Sequence, residues 1–139
     1  MKHENFIVHV VDPDQAIADG LTTLLDTYGI DVLSYPDAES FLKFWLPHRC
    51  RNCCLITEAN LPALSGPALL RALRELQVEI PVLMLLGTSS PELIELALSS
   101  GQVSVIQKPC NDSTLIDRVL SIRAEAMAAE RQSRRSGEH

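Results

Sequence analysis

The feature that most constrains the fold is a fivefold alternation of short apolar runs with helical patterns. The runs cover residues 6–11, 30–35, 53–57, 81–86 and 103–106. The helical patterns that follow them cover residues 15–28, 38–46, 67–76, 91–99 and 112–122. Strands that alternate with helices predict an α/β fold, in which helices cover both faces of a parallel sheet. The apolar runs lack period-two alternation, which is typical of strands buried on both faces.

Handedness rules narrow the possible topologies of such a chain. Crossovers between parallel strands are right-handed, and the flavodoxin-like strand order 2-1-3-4-5 is one of the commonest solutions. We therefore expect a doubly wound, five-stranded parallel sheet. At 139 residues the chain is long enough for one domain with a substantial core.

Composition excludes several classes of function. The formal net charge of −6 argues against direct binding of nucleic acid through this domain. No apolar run reaches the length of a membrane span, and the first residues show no signal-peptide pattern. We expect a cytoplasmic protein without a membrane partner.

Cysteine spacing leaves one alternative open. Cys50-x-x-Cys53 is compatible with a redox pair, or with half of a zinc site to which His48 adds a third ligand. The simpler interpretation is that Cys53 and Cys54 enter a buried strand and act as small hydrophobic residues. Cys110 follows a different strand at the opposite edge of the sheet, which disfavours a four-ligand site. A thiol or metal sensor that uses His48, Cys50 and Cys53 is the alternative hypothesis.

Polar residues follow three of the predicted strands. Asp12 and Asp14 follow the first strand, Glu58 ends the third, and Lys108 follows the fifth. Singly, the two aspartates suit helix capping and the lysine suits a surface position. Because the carboxyl ends of parallel strands share one edge, the four residues together predict a site for a phosphoryl group or a hard cation.

At this point the chain resembles the receiver domain of bacterial two-component response regulators over nearly all of residues 6–122. The matching pieces are Val10-Val11-Asp12, Leu61-Pro62-x-x-Ser65-Gly66, Ile80-Pro81-Val82, Gly101 and Lys108-Pro109. Two further segments are similar to receivers that precede LuxR-type helix-turn-helix domains, namely Ala38-Glu39-Ser40-Phe41-Leu42 and Leu86-Gly87.

The resemblance implies a phosphoacceptor aspartate at the end of strand three and a magnesium ion beside it. It also implies a second acid after strand one, a hydroxyl residue at the end of strand four and an aromatic residue in strand five. This chain departs at those positions, which hold Glu58, Pro13, Leu86 and Val105. Of the family's pattern it keeps the first acid, Asp12, and the lysine, Lys108, while the Asn60 carbonyl remains available.

These departures predict a receiver whose phosphorylation switch is lost. Pro13 supplies no side-chain oxygen to a magnesium site that tolerates little distortion, so we expect magnesium binding to be lost or weak and no cofactor. Glu58 is longer than aspartate by one methylene, about 1.5 Å, which misplaces an in-line phosphoryl transfer. Leu86 cannot donate a hydrogen bond to a phosphoryl oxygen. The alternative is a conventional phospho-accepting regulator that uses Glu58 or Asp12.

Glu58 also has the reach to meet Lys108. We therefore expect their charged groups to lie within salt-bridge distance, which could hold the domain in one state. Two interpretations stay open, that Glu58 imitates the phosphorylated form or that it only neutralises Lys108. The resemblance further implies a cis peptide bond between Lys108 and Pro109.

The expected organisation is a receiver-like domain over residues 1–122, followed by a helix extension and polar linker over 123–139. We expect a protein-interaction module rather than an enzyme, one that controls a DNA-binding output domain or a separate partner. The resemblance implies dimer contacts through the helix 4, strand 5 and helix 5 face or through helices 1 and 5. It also implies a sensor kinase as a partner.

Overall fold

The chain folds as a single five-stranded sheet with helices on both sides, and the computed structural model describes residues 6–45, 52–61, 64–87, 91, 94–95, 99, 103–109 and 111–137. The strands are β1 (Ile7–Val11), β2 (Asp31–Tyr35), β3 (Cys53–Glu58), β4 (Val82–Leu86) and β5 (Val103–Gln107). The helices with assigned bounds are α1 (Gln15–Asp26), α2 (Ala38–Trp45), α3 (Gly66–Glu75) and the C-terminal helix (Asp112–Gly137). Within the expected helix at 91–99, the described residues Pro91, Ile94 and Glu95 are helical.

The sheet has the predicted topology. Its strand order is β2-β1-β3-β4-β5, and every adjacent pair is parallel. The flavodoxin-like prediction is therefore confirmed. All six residues of β3 are buried, as expected for a central strand covered on both faces.

Two apolar cores lie on opposite faces of the sheet. One packs α2 and α3 against the sheet, and its most buried members include Phe41, Leu69 and Leu86. The other packs α1 and the C-terminal helix, and it includes Leu25 and Val119. The apolar residues spaced along one face of α3 and of the C-terminal helix face these cores: Leu69, Leu70, Leu73, Leu115, Ile116, Val119 and Ile122 are buried, and Leu120 is partly buried. Ile17 of α1, by contrast, is 37% exposed.

One polar pair is built into the first core. His9 in β1 is buried, and its Nδ1 lies 2.9 Å from the hydroxyl oxygen of Tyr35 in β2. The edge of the Phe41 ring packs against the imidazole. The hydrogen bond between His9 and Tyr35 matters because a buried imidazole without a polar partner would destabilise the core.

Helix boundaries follow from their caps. The Asp14 side chain accepts a hydrogen bond from the Ala16 N–H at the start of α1, and the Ser65 side chain accepts one from the Ala68 N–H at the start of α3. The C-terminal helix continues to Gly137, whereas we expected it to give way to a polar linker near residue 132. The segment contains no proline, and arginine and glutamine favour helix, so the polar composition did not end it.

Among the residues with described positions, no helix is long and apolar enough to span a bilayer.

Two glycines predict opposite effects of the same substitution. Gly20 is an exposed residue inside α1, and a Cβ there would meet nothing within 4 Å. Gly20→Ala should therefore raise the free energy of unfolding by about 0.5–1 kcal/mol. Gly29 has equally open surroundings but a φ of 72°. Gly29→Ala should lower the free energy of unfolding by about 1 kcal/mol because of left-handed backbone strain. Urea denaturation of both variants tests the pair, and equal signs would contradict it.

Candidate functional site

Sheet register brings the predicted polar residues to one edge. Val11 pairs with Thr57, so Asp12 and Glu58 follow at the same level on neighbouring strands. Glu58 is in register with Leu85 of β4. The Lys108 N–H donates to the Leu86 carbonyl at 2.7 Å, which holds the end of β5 against that of β4. The carboxyl ends of β1, β3 and β5 thus place two acids and one lysine around a shared site.

An ion pair occupies the centre of this site. The Lys108 ammonium donates to the Glu58 Oε2, which confirms the predicted salt bridge. The Glu58 side chain is 11% exposed and that of Lys108 is 30% exposed. The Lys108–Pro109 peptide bond is cis, also as predicted. The pair is thus shielded on the glutamate side and open to solvent on the lysine side.

Asp12 is the second acid of the site, and it is buried. It is 6% exposed, and its Oδ1 accepts a hydrogen bond from the Asp14 N–H at 2.8 Å. Desolvation raises the pKa of Asp12 above its ordinary value, against the opposing effects of that hydrogen bond and of Lys108. Keeping this carboxylate buried and charged lowers the free energy of unfolding at neutral pH.

The residues present do not fit a magnesium ion of the type that the family implies. Pro13 carries no oxygen donor in its side chain and is exposed. Asp14 is exposed, and its Oδ1 is engaged with the Ala16 N–H at 3.0 Å, as its capping role predicted. The Glu58 carboxylate is paired with Lys108. Within the described ranges, no three His, Cys, Asp or Glu side chains converge to ligate one ion.

Gly66 shows why a glycine opens α3. A Cβ at this position would lie 2.9 Å from the Glu58 carbonyl oxygen and 3.0 Å from the Ala59 Cα. The Gly66 N–H donates to the Ala59 carbonyl at 3.0 Å. The start of α3 therefore packs directly on the backbone that carries Glu58, and the Ser65-Gly66 motif fixes the position of that residue.

Leu86 and Val105, which stand where the family has a hydroxyl residue and an aromatic residue, lie in the core. Leu86 is 1% exposed and belongs to the core on the α2 and α3 face, and Val105 is partly buried against the same core. Both side chains contribute packing and neither carries a polar group.

The predicted thiol constellation lies mostly outside the described residues. His48, Cys50 and Cys110 are not among them. Cys53 and Cys54 are buried in β3, as the simpler interpretation predicted.

The apolar spacing of Ile17 and Leu21 in α1 predicts an inward helix face. Leu21 does pack against the core, whereas Ile17 is exposed, and both line a groove beside the site together with Lys108 and Leu115. No pattern in α1 distinguishes a groove wall from a core contact, since both require apolar residues one turn apart.

Comparison with known proteins identifies the family. The response regulator receiver domain model matches residues 8–120. The chain belongs to this family and is the receiver domain of a two-component response regulator.

Its relatives include transcription regulators. The chain is 31% identical over 126 residues to the transcriptional regulatory protein FixJ of Rhizobium meliloti (strain 1021), covering 91% of this chain and 61% of that protein. It is 32% identical over 134 residues to the C4-dicarboxylate transport transcriptional regulatory protein DctR of Rhodobacter capsulatus, covering 94% and 67%. The chain therefore spans about six-tenths of the length of its FixJ relative.

Solved structures agree with the fold. The crystal structure of FixJ-N has a TM-score of 0.77 and 30% sequence identity, covering 88% of this chain and 96% of the other. Full-length FixJ from B. japonicum has a TM-score of 0.79 and 30% identity, covering 90% and 61%. The similarity spans nearly all of FixJ-N and about six-tenths of full-length FixJ.

Two aspartates predict opposite pH effects. The folded-state pKa of Asp12 is raised above 3.8, so stability falls as the pH rises through the interval between the two values. Asp12→Asn should therefore be more stable than wild type at pH 7, and the difference should shrink towards pH 3.8. The Ser40 N–H lowers the pKa of Asp37, so Asp37→Asn should be less stable than wild type at pH 7.

Denaturant midpoints between pH 3 and pH 8 measure both effects. The two substitutions remove the same charge, so each controls for the other. A loss of stability at pH 7 in Asp12→Asn would contradict the assignment of desolvation as the dominant effect there.

A double-mutant cycle measures the central ion pair. Glu58→Gln and Lys108→Met each remove one charge, and the double variant removes both. The coupling free energy should be about 1–2 kcal/mol, between the values for exposed and fully buried pairs. Urea denaturation of the four proteins gives the value, and a coupling under about 0.3 kcal/mol would show that the pair does not stabilise the fold.

Proposed function

We propose that this domain is an atypical receiver, which signals through protein interaction without being phosphorylated. The observation that carries the proposal is the ion pair between Glu58 and Lys108. In this pair an internal carboxylate holds the lysine that, by the resemblance, would contact a phosphoryl group. The domain is then set in one state by its own sequence, and its regulation comes from partners rather than from a phosphoryl donor.

The few oxygen ligands that this chain can offer to a magnesium ion support the proposed loss of metal-dependent phosphoryl transfer. Phosphoryl transfer depends on positioning and on charge neutralisation by a metal ion. The chain supplies one buried carboxylate that is not in an ion pair, Asp12, whose Oδ1 already accepts a hydrogen bond from the Asp14 N–H. Proline stands where a second acid would help to hold the ion. Magnesium prefers near-ideal octahedral oxygen geometry, so a reduced donor set weakens binding.

The length of Glu58 argues against its use as a phosphoacceptor. Its carboxylate extends about one carbon–carbon bond, roughly 1.5 Å, beyond that of an aspartate at the same position. A displacement of about 1 Å from in-line geometry is enough to slow a reaction by about a hundredfold. The carboxylate is also engaged with Lys108, so attack on a phosphoryl donor requires that this contact first break.

We propose that this receiver controls an output domain or a separate protein partner. The relatives named above are transcriptional regulatory proteins, and this chain covers about six-tenths of FixJ. In this proposal residues 1–122 form the interacting domain, and 123–139 connect it to an output. The proposed assembly is a homodimer through the face formed by the expected helix at 91–99, β5 and the C-terminal helix, or through α1 and the C-terminal helix.

Restoring the missing groups should restore phosphorylation in a definite order. Pro13→Asp should bring back weak magnesium binding, because it adds the missing oxygen beside Asp12. Adding Glu58→Asp should permit slow labelling by acetyl phosphate. Adding Leu86→Thr should increase or stabilise labelling, because the hydroxyl can donate to a phosphoryl oxygen. Magnesium binding is followed by the fluorescence of Trp45, and labelling by intact-protein mass spectrometry.

Circular dichroism must first show each variant folded, especially Leu86→Thr, since Leu86 is buried and a hydroxyl there needs a partner. Glu75→Gln, at an exposed position at the end of α3, is a suitable matched surface control. Labelling of the wild type as fast as the triple variant would refute the proposal. A folded triple variant that neither binds magnesium nor labels would show that other features disabled the site.

A further inference from the structure

Helix α1 connects the acidic edge of the sheet to the C-terminal helix, with a hydrogen bond at each end. At its start the Asp14 N–H donates to the Asp12 Oδ1 at 2.8 Å, and the Asp14 side chain caps the helix through the Ala16 N–H at 3.0 Å. In the turn that ends α1, the Tyr28 carbonyl accepts a hydrogen bond from the Arg123 Nη1 at 3.5 Å. The 12 residues of the helix span roughly 18 Å between these two contacts.

Both helices pack in one core on the same face of the sheet. Ala18 and Leu25 contribute to this core from α1, and Val119 and Ile122 contribute from the C-terminal helix. Each helix follows the carboxyl end of a parallel strand, so the two run in the same direction. Because a close-packed core transmits displacement, a shift at the start of α1 moves its Tyr28 end relative to the C-terminal helix.

Arg123 lies where the C-terminal helix gives up its contacts with the core. Ile122 is buried, whereas Met127, little more than one turn later, is 44% exposed. The Tyr28 carbonyl lies at the carboxyl end of α1, where the helix dipole favours a cation such as the Arg123 guanidinium. The contact between Arg123 and Tyr28 therefore ties the C-terminal helix to α1 at the point where that helix leaves the domain.

The positions of the family's polar switch residues lie on the other face of the sheet. Leu86 and Val105 belong to the core that packs α2 and α3, and the C-terminal helix packs in the opposite core. Neither side chain can form a hydrogen bond. They offer no polar contact that could be made in one state and broken in another, whereas both ends of α1 do.

We propose that α1 couples the acidic edge to the C-terminal helix, and that the contact between Arg123 and Tyr28 is the element that opens and closes. With the hydrogen bond between Asp12 and Asp14 in place, the start of α1 is fixed and the contact is closed. Loss of that bond shifts α1 and releases the C-terminal helix from residue 123 onward. At 3.5 Å the contact is near the limit of hydrogen-bond length, so a shift of less than about 0.5 Å breaks it.

The coupling stands on this geometry, while its use as the route of a signal rests on the proposed function. Two arrangements of one contact, biased from a distant site, are what a coupling between sites requires. By linkage the effect is reciprocal, so opening the contact at Arg123 must also loosen the start of α1.

The first test removes the hydrogen bond at the acidic edge from the whole 139-residue chain by Asp12→Ala. Asp37→Ala is the matched control, because the Asp37 Oδ1 accepts the Ser40 N–H at the same distance of 2.8 Å at the start of α2, on the opposite face. Amide hydrogen exchange of residues 121–127 is measured by NMR and divided by the rate of Ile56 in β3, which reports global unfolding. Asp12→Ala should raise this ratio about fivefold, the effect of one lost hydrogen bond, and Asp37→Ala should leave it unchanged.

The second test opens the contact from the other side. Arg123→Gln should raise the normalised exchange rate of the Ala18 amide, which donates to the Asp14 carbonyl in the first turn of α1, by a similar factor. Arg118→Gln makes the same change at an exposed arginine of the same helix and should leave that rate unchanged. In the double variant Asp12→Ala/Arg123→Gln, residues 121–127 should exchange no faster than in Arg123→Gln, because the contact is already open.

Three results would overturn the inference: equal effects of Asp12→Ala and Asp37→Ala, equal effects of Arg123→Gln and Arg118→Gln, or additive effects in the double variant. If Asp12→Ala does not fold, Asp14→Ala replaces it with the same expectation, since it removes the cap of α1 at an exposed position. Labelling of the wild type by acetyl phosphate would defeat the proposed function without changing these exchange rates, so the two failures are distinguishable.

Discussion

The pairing of β3 with β1 and β4 is the constraint on which the rest of the molecule depends. Every residue of β3 is buried, so both cores pack on this strand and its register is strongly specified. A slip of one residue would exchange the side chains that face the two cores. The same register sets Glu58 beside Asp12 at the edge of the sheet. Fold and site therefore share one determinant, and the close approach of Gly66 to the Glu58 backbone reinforces it.

Glu58 makes an internal ionic contact with Lys108 at the carboxyl edge of the sheet. The glutamate side chain is one methylene longer than that of an aspartate, and its carboxylate reaches the Lys108 ammonium directly. Asp12 remains buried beside it, and desolvation raises its pKa without a metal-binding partner at residue 13. This combination of an internal ion pair and a desolvated acid is the physical basis of the proposed phosphorylation-independent state.

Much of this arrangement could be predicted from the sequence because period and residue type determine it directly. The β-α alternation and the caps at Asp14 and Ser65 follow from local physics, and the salt bridge follows from the shared edge together with side-chain length. Other features depend on tertiary packing, which local patterns do not encode. The outward position of Ile17 needed knowledge of how α1 sits against the C-terminal helix. Residues 130–137 are helical. Their polar composition could not predict this, because exposed helices and linkers are both polar.

The C-terminal helix has a mechanical consequence. Its buried contacts include Val119 and Ile122, while residues 127–129 are exposed. At about 1.5 Å per residue, the 15 residues from Ile122 to Gly137 extend roughly 22 Å past the last fully buried contact. A tilt of about 10° at the base would therefore displace the far end by roughly 4 Å. Small rearrangements beside the sheet are amplified along this helix, and the stiffness of the helix decides how much of each reaches its far end.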